Sequence, residues 1–434
     1  MTKEGKFIMD EYQKYSRDML DFIEKSPTCF HAVSALKEAL KEQGFWELKE
    51  TENWSLDGGK GYFVTRNDSS LIAFRIPDHL PQGFHIVASH CDSPSFKIKE
   101  SPEMTVENTY VKLNTEKYGG MILYSWLDRA LSVAGRVVVH GKDGLETRLV
   151  NLDSRTMVIP SVAIHMNRDA NKGMEFNPQV DMLPLYGERS MGGKMLLEHA
   201  AEAAGVERGD ILGHDLFLYV REKGRFYGEN DAFVLSPRLD DLQCVYASSK
   251  AFMDTVPEQY ITVCAVFDNE EVGSGTKQGA DSTFLEDILW RIGEGLEWNR
   301  SEFLRRIAGS FLISADNAHG VHPNHPEKAD PTNRPYLNGG IVIKFHGSQK
   351  YATDAVSAAR MKMLCEEAEV PWQTYANRSD ILGGSTLGNI STAHVSVSSV
   401  DIGLPQLAMH SAVETAGVKD TKYAVEAFKV FFKE

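Results

Sequence analysis

The chain is poor in several features that would narrow its class at once. It has only five cysteines in 434 residues, Cys29, Cys91, Cys244, Cys264 and Cys365. The count is odd, the positions are scattered and no CxxC pair occurs, so they read as reduced thiols in a reducing compartment, not as a disulfide framework or a thiolate metal site. No stretch approaches the roughly 18 consecutive apolar residues of a membrane span, and the N-terminus opens on an amphipathic pattern instead of a signal-peptide block. A cytoplasmic protein with no membrane partner is expected. Positive charge is also short: 46 basic residues face 61 acidic ones, a formal charge of -15. That balance argues against a nucleic-acid partner held by a basic surface. Internal repeats and low-complexity tracts are absent.

What is present is the composition of an ordinary globular protein, 42% hydrophobic and 25% charged, long enough for two or three domains. Ile8, Tyr12, Tyr15, Met19 and Ile23 recur at helical steps until Ser26-Pro27, and Val33, Leu36 and Leu40 mark a second helix. Strand-like runs follow at Leu71 to Ile76 and at Phe84 to Ala88. From Ser93 to Leu235 the texture changes to short alternating segments punctuated by Gly119-Gly120 and Gly192-Gly193, with a helix expected near Met191 to Ala204. Beyond Ser236 long apolar strands alternate with helices. The fold expected is α/β: a mixed, largely parallel sheet covered by helices, formed by 1–92 and 236–434, with an inserted, mostly β second domain over 93–235.

In such sheets ligands gather at the carboxyl ends of strands. The polar residues just after each apolar run form a coherent set. Phe84 to Ala88 leads to His90 and Asp92, Ile261 to Phe267 to Asp268-Asn269-Glu270-Glu271, Phe311 to Ser314 to Asp316, and the run ending at Asp401 leads to His410. Asp240-Asp241 adds carboxylates at a helix start. Two histidines with several carboxylates and no thiolate are the donors of an open hydrolytic metal site. Two divalent cations about 3.5–4 Å apart, bridged by a carboxylate and a water, would account for them. Taken singly each element has a plainer reading: a polar strand end, a solvated loop, or an acidic helix N-terminus. His319, His322 and His325 repeat every third residue, but Gly320 and Pro323 argue against the helix that would align them. His85 falls on the strand face opposite His90 and reads as structural.

The ordered blocks Ser89-His90-Cys91-Asp92-Ser93-Pro94, Ile159 to His165, Leu235 to Asp240, Asp268 to Ser274, Ser314 to His319 and Pro405 to Ser411 resemble the aspartyl aminopeptidase family of co-catalytic zinc metallopeptidases over essentially the whole chain. Gly383-Gly384-Ser385-Thr386 departs from the Cys-Gly-Thr-Thr form of eukaryotic members. The resemblance implies two divalent metal ions per subunit, Zn first and Co or Mn possible. Asp240 would bridge them, with His90 and Asp316 on one, Glu271 and His410 on the other, Glu270 as general base and Asp92 orienting His90. It also implies Lys344 and Tyr351 in the first-residue pocket, a substrate contact from His319, and His165 reaching a neighbouring subunit's site from an inserted domain that serves oligomerisation and substrate gating. Members form tetrahedral dodecamers built from dimers. The activity implied is removal of an acidic first residue from peptides. Broad or neutral aminopeptidase specificity, N-acyl amino-acid amidohydrolysis and a non-catalytic scaffold on the same fold remain the alternatives.

Overall fold

The computed structural model describes residues 3–434 except 143, 192–194, 382 and 385. The sequence readings at Gly192-Gly193 and Ser385 lie outside the described residues. The chain divides into a larger unit, 1–92 with 224–409 and 414–434, and a smaller one, 93–223 with 410–413.

The larger unit is built on a nine-stranded sheet. Its strands run in spatial order Trp46–Leu48, Gly61–Arg66, Ser70–Arg75, Ile261–Phe267, Phe84–His90, Phe311–Ala315, Ser398–Gly403, Ile341–Phe345 and Trp372–Ala376. The four central strands, Ile261–Phe267, Phe84–His90, Phe311–Ala315 and Ser398–Gly403, are mutually parallel. Antiparallel pairings flank them at Ser70–Arg75 and at Ile341–Phe345. The central runs are apolar without alternation because both faces are covered: every residue of Phe84–His90 and Ile261–Phe267 is buried.

Strand parity still sorts the side chains. Phe84, Ile86 and Ala88, with Ile261, Val263 and Ala265, pack on one face with Phe284, Ile288 and Ile292 of the helix Phe284–Gly295. On the other face His85 is stacked between Tyr260 and Phe431, its ring centroid 3.7 and 4.3 Å from theirs. Its Nδ1 donates to the Phe431 carbonyl, and Arg360 donates to its Nε2. Burial pushes this imidazole down to about 3. It is therefore a neutral, structural ring, as strand parity predicts.

A five-stranded sheet in the same unit joins Arg225–Tyr227, Phe233–Ser236, Glu414–Gly417, Pro405–Leu407 and Ala318–His319. Residues 224–235, read from sequence as the end of the insertion, lie in the larger unit: Phe233–Ser236 pairs with Glu414–Gly417, far away in sequence, and Arg225–Tyr227 pairs with Phe233–Ser236. The smaller unit is an antiparallel six-stranded sheet of Gly144–Asn151, Leu131–Gly141, Ile211–Val220, Ser95–Val106, Tyr110–Tyr118 and Leu185–Glu188, accompanied by the helix Leu196–Ala204. Among the described residues no helix is long and apolar enough to cross a membrane.

Candidate metal centre

The register of the parallel strands decides which side chains meet. Phe267 lies opposite His90, and Ser314 opposite Ala88. The residues that follow each strand therefore emerge at one sheet edge. After Phe267 the chain makes a turn, Glu270–Val272, bracketed by left-handed Asn269 and Gly273 (φ 64° and 95°). That reversal displays two successive glutamates. The helix Leu239–Asp254 opens at left-handed Arg238, and Asp240 and Asp241 depart from helical geometry in its first turn.

His90 is the hub and is 1% exposed. Its Nε2 lies 3.6 Å from Asp240 Oδ1 and 3.8 Å from Asp316 Oδ1. Its Nδ1 is 3.1 Å from the Asp92 carbonyl and 3.4 Å from the Asp92 carboxylate. With Nδ1–H donating to Asp92, Nε2 is left as the ligating nitrogen, the usual arrangement for a metal-bound imidazole. The Asp92 carboxylate also accepts the main-chain N–H groups of Glu270 and Glu271, both at 3.1 Å. It anchors the glutamate turn to the histidine strand.

Two sets of donors within this unit gather their ligand atoms within 4.8 Å: His90 with Glu270 and Glu271, and His90 with Asp241 and Asp316. Asp241 received no role in the sequence reading. Its carboxylate accepts the His90 main-chain N–H at 3.2 Å. The signal was there, a second acid at the helix start, but only the structure shows that the two acids have different neighbours.

So many buried acids repel. Burial first, then Asp316, Asp92 and Asp240 against the pull of His90, push the Glu270 carboxyl up to about 7. Burial and Asp240 raise Glu271 well above the ordinary range. Burial alone would lower the His90 imidazole, yet Asp240, Asp316 and Asp92 outweigh it and hold it well above its usual value. A set of imidazole and carboxylate donors carrying this much unneutralised negative charge fits two divalent cations. Thiolates contribute nothing: Cys91 Sγ donates to the carbonyls of Ser69 and Phe267.

Lys344 is 2% exposed. Its ammonium donates to the Asn317 carbonyl at 2.9 Å, stands 3.7 Å from Asp316 Oδ2 and lies 5.6 Å from the centroid of the Tyr351 ring. Burial works against the charge, but Asp316 leads the groups that raise its pKa. His319 is exposed and lines a cavity of about 320 Å³ with His322, His325 and Gln406. His322 Nδ1 accepts the Asn324 N–H and His325 stands beside Glu327. Among the described residues the His319, His322 and His325 series forms no ligand group. His165 is exposed in a loop of the smaller unit. His410 has a left-handed φ of 65° and follows the strand Pro405–Leu407, which pairs with Glu414–Gly417.

A family model described as aminopeptidase I zinc metalloprotease (M18) matches residues 22–432. The chain belongs to the M18 family. It is 49% identical over 427 residues to a probable M18 family aminopeptidase 2 of Clostridium novyi (strain NT), covering 96% of this chain and 98% of that one. It is 41% identical to one of Pseudomonas aeruginosa (strain UCBPP-PA14), covering 96% and 97%. Among solved structures, the chain matches the cryo-EM structure of the Ape4 and Nbr1 complex with a TM-score of 0.94 and 36% identity, over 98% of this chain and 86% of that one. The S. cerevesiae mApe1 dodecamer matches with a TM-score of 0.85 and 27% identity, over 97% of each. The α/β M18 fold and the donor clusters together make this M18 chain a zinc-dependent aminopeptidase.

Proposed function

We propose that this M18 aminopeptidase removes acidic first residues from peptides, with Glu270 as general base. The observation that carries the acidic preference is Lys344, a buried ammonium held beside Asp316. One of its three N–H donors is engaged by the Asn317 carbonyl and one faces Asp316, so a third is left for a substrate carboxylate. A buried cation beside the reacting centre favours an Asp or Glu side chain and gains little from a neutral one.

On this reading, which follows the family resemblance, His90 and Asp316 would hold one cation, Glu271 and His410 the other, and Asp240, which like Asp316 stands beside His90 Nε2, would serve both. Two divalent cations bound there supply Lewis acidity and lower the pKa of water. Glu270, adjacent to the ligand Glu271 in the turn that Asp92 anchors, takes the proton of the attacking water and returns it to the leaving amine. Asp92 keeps the His90 ring in the tautomer that leaves Nε2 free. Tyr351 walls the first-residue pocket beside Lys344, and His319 contacts the peptide.

By likeness to the mApe1 dodecamer, the chain assembles into a dodecamer; the family resemblance adds that it is tetrahedral and built from dimers, with His165 reaching a neighbouring copy. The apolar residues flanking it support this: Val162, Ile164 and Met166 are exposed, a costly surface for a lone chain. A cytoplasmic location fits five free, buried cysteines.

Aminoacyl anilides of Asp, Glu, Leu and Lys, assayed with wild type and with Lys344→Met, test the specificity. The expected result is a wild-type preference for Asp and Glu, and at least a ~10-fold fall in kcat/KM for them, about 1.4 kcal/mol, in the variant, with Leu cleavage less affected. Equal wild-type cleavage of Leu and Asp refutes the preference. Light scattering reads the assembly: a mass near twelve copies supports it, and a stable monomer or dimer opposes it.

A further inference from the structure

Asn317 follows Asp316 directly and is 2% exposed. Its side-chain Nδ2 donates to the Leu239 carbonyl at 2.9 Å, and lies 3.2 Å from Gln406 Oε1 and 3.3 Å from Gln243 Oε1. Its Oδ1 accepts the Cys244 thiol at 3.3 Å. Its main-chain carbonyl accepts the Lys344 ammonium at 2.9 Å. These partners belong to three other elements: the helix Leu239–Asp254, the strand Pro405–Leu407 and the strand Ile341–Phe345.

The placement of those partners gives the amide its significance. Leu239 immediately precedes Asp240, in a helical turn where Asp240 and Asp241 are not helical. The helix's own hydrogen-bond ladder therefore does not fix the Leu239–Asp240 peptide, and side chains from outside hold it: on one side the Glu414 carboxylate accepts the Asp240 N–H at 3.0 Å. On the other side Asn317, the residue adjoining Asp316, donates to the Leu239 carbonyl. The main-chain carbonyl of Asn317 carries Lys344.

We propose that Asn317 is a positioning residue for the metal centre: its side chain sets the spacing between Asp240 and Asp316, and its carbonyl holds Lys344 against the same carboxylate. The proposal rests on reading Asp240 and Asp316 as ligands. Leucine has nearly the shape of asparagine but no donor, so Asn317→Leu leaves the Leu239, Gln243 and Gln406 oxygens without this donor in a buried place. The chain then relaxes at the cost of donor geometry. Groups that orient metal ligands typically change metal affinity by about 10–100-fold when lost.

The test compares wild type, Asp316→Asn, Asn317→Leu and Gln243→Met, each stripped with chelator, retitrated with zinc against a chromophoric chelator, and examined as the cobalt form by visible absorption. Asp316→Asn should lose one of two zinc equivalents. Asn317→Leu should keep both sites, bind zinc about 10–100-fold more weakly and shift the cobalt bands. Gln243→Met, which removes one acceptor of the Asn317 amide and a donor to Thr421, should shift them in the same direction by less. Combining it with Asn317→Leu should add little to Asn317→Leu alone. Wild-type zinc affinity and an unchanged cobalt spectrum in Asn317→Leu overturn the positioning role. Should that variant not fold, an unchanged cobalt spectrum in Gln243→Met overturns it. Full retention of both zinc equivalents by Asp316→Asn would overturn the ligand reading instead, whatever Asn317 does.

Discussion

Asp92 divides its groups between two partners: its carbonyl and one carboxylate oxygen stand beside His90 Nδ1, while its carboxylate accepts both glutamate N–H groups. Removing that side chain, as in Asp92→Ala, leaves two N–H donors without this acceptor, at about 1–3 kcal/mol for each that stays buried. We expect a lowered melting temperature and a fall in kcat larger than any change in KM, because the turn carrying Glu270 loosens. Glu270 and Asp240 separate in the opposite sense. Glu270→Gln should retain two zinc equivalents by elemental analysis and lose about 10²–10⁴-fold in kcat, whereas Asp240→Asn should lose metal. Metal loss in the first with retention in the second would reverse the proposed roles.

Among the elements, the strand Ser398–Gly403 is packed so closely on the Asp316 segment that its last residue must lack a side chain. A Cβ on Gly403 would sit 2.2 Å from the Asp316 carbonyl oxygen and 2.9 Å from the Ala318 nitrogen. Backbone cannot swing aside as a side chain can, so Gly403→Ala must push the Asp316 strand outward. Overpacking of this kind costs about 1–3 kcal/mol. Here it also moves a candidate ligand, so zinc affinity should fall together with the melting temperature. A variant that loses stability but binds zinc like wild type would show that Asp316 does not hold metal. The apolar runs of the central strands identify their carboxyl ends in sequence, which is why His90, Asp268 and Asp316 could be placed at one edge. Gly403 offers no such signal, because the clash that demands glycine involves residues 85 to 87 positions away in the chain.

Across the whole molecule, the acids at the sheet edge link stability to pH and to metal. In the metal-free protein burial pushes Asp268 and Glu270 up to about 7, from ordinary values of 3.8 and 4.5. The folded state then binds protons that the unfolded chain has released. This contribution is fully present below the unfolded values and is lost as pH rises from about 4 to about 7. Divalent metal bound to the neighbouring carboxylates would favour the deprotonated forms of these acids and oppose the trend. The gain in melting temperature on adding zinc to chelator-stripped protein should therefore be largest at pH 7–8 and smallest near pH 5. A gain independent of pH would show that metal does not bind among these carboxylates.

Sequence alone determined the class of fold, the edge at which chemistry gathers and the structural role of His85, because each follows from local rules: continuous apolar runs, strand ends and period-two parity. The M18 blocks also lie in the sequence, in order, over nearly its full length. Tertiary structure decided what depends on residues distant in the chain. It separated Asp240, facing His90 Nε2, from Asp241, bonded to the His90 backbone. It assigned residues 224–235 to the larger unit through pairing with Glu414–Gly417. It also put Asn317 between Asp240, Asp316 and Lys344, since a buried amide acquires its partners only when the elements that carry them pack together.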